Sequence, residues 1–369
     1  MPGSIRLLSV VSVLSALAIA QGVPKVQEQS PMKAASRSEA LVKKPGDGHL
    51  VRIQSITTPS EMVTFFYPPL RCDGDGNLYF PTELVGAPAI RKLNPKGERV
   101  AVFQANQDPD LKAGVATYYA LDPDFGELHQ LVFPEGLDRY VFIYKSDGTF
   151  KSAVKLQTDF PFFPGRIEVF PGGQFLVSGE EYDTDRTATM WPFTGIFAAD
   201  GRLLKELGLE DDNTLHDMAA SGDARVTRPG NRQANLAVDN GFLEMGADGN
   251  AYLMRWGNPA IFYAISAGGQ VVRRFTVEGG QSDYRPVAMH INKNRIAVLF
   301  WEKLSGDEIM KIVDLEGHDV ATYDAPHGAK GGDTGLGASF ACYTQNPTRF
   351  TFLGADENGK VQILTAEPR

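Results

Sequence analysis

Two arginines, two glutamates and a histidine occupy similar places in short apolar runs: Arg71 in PPLRC, Arg166 and Glu168 in GRIEVF, Glu244 in FLEMG and His290 in VAMHI. Arg71, Glu168 and Glu244 each precede a turn glycine (Gly76, Gly173 and Gly249) by five residues, which would bring them to one level if the runs are equivalent strands. A guanidinium there can fork onto a ligand carboxylate, and glutamates can accept from hydroxyl or amine groups. The same charges can also pair with one another around a water-filled hole. His290 is the member of the set whose ordinary pKa makes it an acid or base near neutral pH.

Elsewhere the sequence is quiet. None of His49, His129, His216, His290, His318 and His327 stands in a spacing that makes a metal site by itself, and HExxH, Cys/His clusters and the G-x-S-x-G elbow are absent. HGAKGGDTGLG at 327 to 337 lacks the GKS or GKT ending of a phosphate loop and reads as a connection. DGDGN at 73 to 77 lacks the downstream glutamate of a calcium loop and reads as a turn.

The elements that must position these residues come from a repeat. A tight turn followed by a β-rich run recurs six times, with Gly76, Gly126, Gly173, Gly249, Asn294 and Thr348 as equivalent points. The spacing is about 50 residues, stretched only between Gly173 and Gly249. A second turn follows each of the first five, around Gly97, Gly148, Gly201, Gly269 and Gly317. Four strands per unit at this period is the arithmetic of a propeller blade, whose sheet must stack on neighbours to cover both faces. The expectation is an all-β, six-bladed β-propeller of four-stranded antiparallel blades. The sixth unit lacks an outer strand, and HLVRIQSI at 49 to 56 is a spare one that would complete it and close the ring.

The phrases DGDGNLYF (73 to 80), YKSDGTF (144 to 150) and FAADGRL (197 to 203) resemble those of NHL-type and related TolB-like six-bladed propellers across residues 49 to 369. That scaffold hosts binding proteins, lactonases and lyases alike, so the resemblance implies a fold and leaves function to the site. The innermost strands then line a channel, and strands two and three meet at the face where ligands usually enter. Trp191, Trp256 and Trp301 fall near those junctions. They can stack on sugars or anchor a peptide, or simply pack between blades. Cys72 and Cys342 fall near the ends of inner strands in blades one and six, which a closed ring makes neighbours; a disulfide and two separately buried thiols both fit.

Arg6 followed by the uncharged run Leu7 to Ala20, ending Ala-Ile-Ala, reads as a signal peptide cleaved after Ala20. Residues 21–48 then form a disordered linker and 49–369 the propeller, in the periplasm or secreted. The formal net charge of −9 disfavours nucleic acid as a partner, and no stable membrane span is expected. The long stretch from Glu210 to Asn240 is an insertion of the kind that carries function. The function expected is a binding module or scaffold for a protein, a peptide or a small polar ligand, with no cofactor. The alternative is a metal-dependent hydrolase resembling the gluconolactonases, with calcium or zinc in the channel. Glu168 and Glu244 could begin such a site, but no inner-strand Asn or Asp clearly completes it. A histidine-dependent lyase is a third reading, for which the channel offers one histidine.

Overall fold

A computed structural model describes residues 48–62, 67–83, 88–105, 108, 111, 113–124, 126–134, 138–182, 190–209, 241–280, 284–302, 306–325 and 339–369. The expected signal peptide, nearly all of the linker, the 210–240 insertion and the glycine-rich 327–337 segment lie outside them. All regular structure among the described residues is β-strand.

The first strand, β1 (Gly48–Met62), pairs far along the chain. The following sixteen strands form four separate four-stranded antiparallel sheets, each in sequence order. The first holds β2 (Arg71–Cys72), β3 (Leu78–Glu83), β4 (Ala89–Leu93) and β5 (Arg99–Gln104). The second holds β6 (Ala113–Leu121), β7 (Leu128–Pro134), β8 (Tyr140–Tyr144) and β9 (Phe150–Lys155). The third holds β10 (Phe162–Val169), β11 (Phe175–Tyr182), β12 (Met190–Phe197) and β13 (Leu203–Glu206). The fourth holds β14 (Phe242–Met245), β15 (Ala251–Arg255), β16 (Ala260–Ile265) and β17 (Val271–Val277). The remaining strands are β18 (Tyr284–Asn292), β19 (Arg295–Glu302), β20 (Glu308–Asp314), β21 (Asp319–Ala325), β22 (Ser339–Gln345), β23 (Thr348–Ala355) and β24 (Lys360–Pro368). With β1 they make one eight-stranded sheet in the order β18-β19-β20-β21-β1-β24-β23-β22.

Inside that sheet β1 runs antiparallel to β24 from Leu50↔Pro368 to Met62↔Lys360. Among the described residues it meets β21 in parallel at two positions, Gly48↔Tyr323 and His49↔Asp324. The backbone of His49 exchanges hydrogen bonds of 3.0 and 2.9 Å with Arg369. The spare strand read from the sequence is therefore paired with β24 and runs six residues past Ile56, to Met62. Glu61, at 0% exposure, ties its far end to the first sheet through Arg91 and through Arg99 at 3.5 Å.

Burial follows position in each sheet. Second strands such as β7 are buried almost throughout, whereas outer strands such as β17 show an exposed face. The cores lie between neighbouring sheets: Tyr79, Phe103, Tyr119 and Phe142 join the first to the second, and Leu78, Phe80, Leu353 and Ile363 join the first to β23 and β24. The architecture is an all-β propeller. Outer turns lock adjacent sheets: a Cβ on Gly148 (φ 90°) would fall 2.5 Å from the Val102 carbonyl oxygen of the preceding sheet, so only glycine fits that approach.

Candidate functional site: a charged layer and the chamber above it

The innermost strands β2, β6, β10, β14, β18 and β22 pack beside one another, β6 on β10, β10 on β14, β14 on β18, β18 on β22 and β22 on β2. On four of them a polar residue stands two positions before the first turn residue: Arg71 before Asp73, Glu168 before Phe170, Glu244 before Gly246 and His290 before Asn292. The sequence spacing put three of these, Arg71, Glu168 and Glu244, at one level, and in the structure all four come together. Arg71 Nη2 lies 3.1 Å from Glu168 Oε2 and donates to the Leu243 carbonyl at 2.7 Å. His290 Nε2 lies 3.6 Å from Glu244 Oε1.

On β6 the position equivalent to Arg71 is Ala120, and the residues before it complete the layer. The Arg71 guanidinium lies 5.5 and 5.9 Å from the ring centroids of Tyr118 and Tyr119. Arg166, one turn of the pleat above Glu168, stacks on Tyr118 at 4.9 Å and donates to the carbonyls of Gly241 and Gly165 at 2.7 and 2.8 Å. Tyr118 and Tyr119 are thus part of the site, and the sequence reading missed them.

Burial sets the electrostatics. It pushes the Glu168 carboxyl up to about 7, against the pull of Arg71 and of the Val169 N–H. It pushes Glu244 up to about 7 as well, against Arg71 and the Ile291 N–H. Burial opposes the charge on Arg71 too, but Glu168, Tyr118 and Glu244 outweigh it and hold the guanidinium protonated. His290 goes the other way: burial, then Arg71, bring it down to about 3. Its Nδ1 accepts the Tyr343 N–H at 3.2 Å, which places the proton of the neutral ring on Nε2, facing Glu244. In this surrounding His290 is held neutral at neutral pH. The low-dielectric layer favours the neutral form of every group, which silences the histidine and moves the two glutamates into the neutral range.

A carboxyl whose folded pKa is raised adds stability that is complete below its unfolded value and is lost as pH rises through the folded one. Between about pH 4.5 and about pH 7, the native protein should therefore lose stability relative to a Glu168→Gln, Glu244→Gln double variant. Urea unfolding midpoints of both proteins across that window check this; parallel curves would contradict it.

The layer divides the channel in two, since Arg71 and Glu244 line a cavity on each side. One, of about 670 Å³, is bordered by Asp73, Asp122, Glu168, His290 and Lys293. The other, of about 550 Å³, has Arg71 and Glu244 at its floor and Tyr118, Phe242, Met289, Trp301 and Phe340 among its walls. Trp301 thus belongs to the same chamber as the charged layer, although the sequence presented them as separate surfaces. Trp256 is 52% exposed with its ring 6.1 Å from that of Phe242, and so stands beside the mouth. Trp191 is the second residue of β12, pairing with Glu181 in backbone register, but its side chain lies outside the described residues.

The Cα atoms of Cys72 and Cys342 are 5.9 Å apart, on neighbouring inner strands, within the span of a disulfide. Asp73 is occupied by its own turn, accepting from the Asn77 backbone at 2.9 Å and the Tyr79 hydroxyl at 2.9 Å.

No family model matches the chain, and no curated protein does. Among solved structures, a protein of unknown function from Dyadobacter fermentans DSM 18053 superposes with a TM-score of 0.53 at 10% identity, covering 87% of this chain and 99% of that one. The PQQ-bound aldose sugar dehydrogenase of Streptomyces coelicolor gives 0.47 at 12% identity, with 88% and 99% covered. The Dos1 propeller gives 0.41 at 11%, with 80% and 76% covered. At 10% identity the likeness to the Dyadobacter protein is one of fold.

Proposed function

We propose that this chain is an exported, six-bladed propeller of the NHL or TolB-like kind, and that it binds a small ligand with hydroxyl or amine donors in the chamber above Arg71 and Glu244. In this reading the eight-stranded sheet is two blades sharing an edge, β18 to β21 and β22 to β24 with β1. The short parallel contact between β21 and β1, two residue pairs among the described residues, supports that division. Export rests on the run from Leu7 to Ala20 and on the approach of Cys72 to Cys342, since disulfides persist in oxidising compartments. The intact mass of protein recovered from the periplasm reads both expectations, a chain beginning at Gln21 and the loss of two hydrogens on pairing.

The observation that carries the binding reading is the make-up of the chamber: mostly aromatic and aliphatic walls, with Glu308 and Ser339 among them, over a floor that carries Glu244. Arg71 is spent on Glu168 and Leu243, so the floor offers an acceptor rather than a fork for a ligand carboxylate. That revises the expectation for Arg71 and directs the search to donors on an apolar or stackable body, such as sugars and alkylamines. A channel cation held by Glu168 and Glu244 has less support, because the Arg71 guanidinium lies 3.1 Å from Glu168 and would repel it.

The test is a thermal-shift panel of mono- and disaccharides and primary alkylamines on the native protein and on Glu244→Gln and Trp301→Ala variants. A compound that stabilises the native protein should bind each variant at least about tenfold more weakly, the worth of one charge-assisted hydrogen bond. A panel without effect, or an effect that both variants retain, would count against the chamber.

A further inference from the structure

We propose that Asp122, Glu127 and His129 form a binding site for a divalent transition-metal ion of the zinc kind, separate from the chamber above Arg71. Asp122 and Glu127 lie on the turn from β6 to β7 and His129 is the second residue of β7, and a ligand atom from each lies within 4.8 Å of the others. His129 is 3% exposed, and neither ring nitrogen has a hydrogen-bond partner. A buried imidazole with both nitrogens idle is costly, because one of them must carry a proton and the other an unused lone pair. Its Nε2 is 3.7 Å from Asp122 Oδ2 and 4.0 Å from Glu127 Oε2. Those separations are too long for hydrogen bonds. Two ligands bound tetrahedrally to zinc at about 2.0–2.1 Å lie roughly 3.4 Å apart, so an ion would draw the two carboxylates toward the histidine by a few tenths of an ångström.

The neighbouring groups fit that role. Asp122 Oδ1 accepts the Asp124 N–H at 2.7 Å, which presents Oδ2 toward the histidine. Lys151 donates to Glu127 at 2.6 and 2.9 Å, and its half-exposed side chain can keep Oε1 while Oε2 turns to an ion. Asp122 and Gly126 border the 670 Å³ cavity, which gives an ion a way in. One imidazole and two carboxylates suit zinc and its neighbours better than calcium or magnesium, whose ligands are oxygens.

The repeat itself supplies a control. In the first sheet the equivalent turn holds Asp73, Asn77 and Tyr79, and the Tyr79 hydroxyl donates to Asp73 at 2.9 Å. In the fourth, Tyr252 donates to Asp248 at 2.9 Å. Both carboxylates are satisfied by the protein. Only in the second sheet, among these three turns, do His129 and Glu127 replace the tyrosine and asparagine, and only there are both nitrogens of a ring left unpartnered. A second group, Asp314, Glu316 and His318, differs: it is largely exposed, and His318 Nδ1 already meets Asp314 Oδ2 at 3.1 Å.

The experiment is calorimetric titration of zinc chloride into untagged, chelator-treated full-length protein, with cobalt chloride and its visible absorption as a second probe. One ion per chain is expected. His129→Tyr, which restores the residue found at 79 and 252, should fold with an unchanged or raised denaturation midpoint and bind zinc at least a hundredfold more weakly. His318→Ala should bind as the native protein does. Should His129→Tyr fail to fold, Asp122→Asn takes its place, with the same loss expected. No uptake at micromolar zinc, or uptake that survives both changes or vanishes with His318→Ala, would overturn the site. This outcome is independent of what binds above Arg71.

Discussion

Replacing Arg71 by methionine should lower the stability of the propeller by about 3–5 kcal/mol, the cost of removing one partner from a buried ion pair. Glu168, with a side chain 1% exposed, would be left beside Glu244 without a counter-charge, and the Leu243 carbonyl would lose its donor. Methionine fills much of the arginine stem's volume, so the loss reports charge more than packing. Adding Glu168→Gln should return a large part of it, because one buried carboxylate is then gone. The cost should also shrink toward pH 4.5, where the buried glutamates are already protonated in the folded protein and need no counter-charge. Guanidinium denaturation of the two variants at two pH values measures all three effects. A cost below about 1 kcal/mol, the scale of an exposed pair, would mean that water reaches the layer and screens it.

Reducing the link between Cys72 and Cys342, or changing Cys342 to serine, should cost about 3–5 kcal/mol. The bond would close a loop of 270 residues. Chain entropy assigns about 4.7 kcal/mol to a loop of about 100 residues and grows slowly beyond that. The pairing of β1 with β24 closes the same circle without a covalent bond. It does not diminish the effect, because it is lost in the unfolded chain, where the disulfide acts. Denaturation with and without a phosphine reductant gives the difference, and an unchanged midpoint would show that the thiols are not joined.

Much of the scaffold was legible because turns are local. Gly76, Gly126, Gly173 and Gly249 all have positive φ, which side chains other than glycine rarely adopt, so each turn had to announce itself in the sequence. The shared distance from Arg71, Glu168 and Glu244 to their glycines worked for the same reason, since identical hairpins carry identical offsets. It failed on β6, where the turn runs from Asp122 to Gly126 rather than over the shorter span from Asp73 to Gly76. The five-residue count there lands on Leu121, and a register shift between Ala116 and Tyr119 hides Tyr118 and Tyr119 from any fixed offset. The protonation of His290 and the loneliness of His129 were illegible for a different reason: both depend on what lies across the channel or behind the sheet, and spacing along one strand does not encode that. The meeting of Trp301 with the charged layer likewise depends on how deep the chamber is.

The clasp between β1 and β24 also sets a timetable. Thr57 and Gln362, whose side chains meet at 3.5 Å, are 305 residues apart. At the usual pace of translation β1 waits roughly 15–60 s before its partner leaves the ribosome. Throughout that interval no complete ring can form, however well the earlier sheets have paired. For a protein proposed to cross a membrane as an extended thread, the delay is useful: the step that would make the chain too wide to pass is the one for which the last strand must arrive.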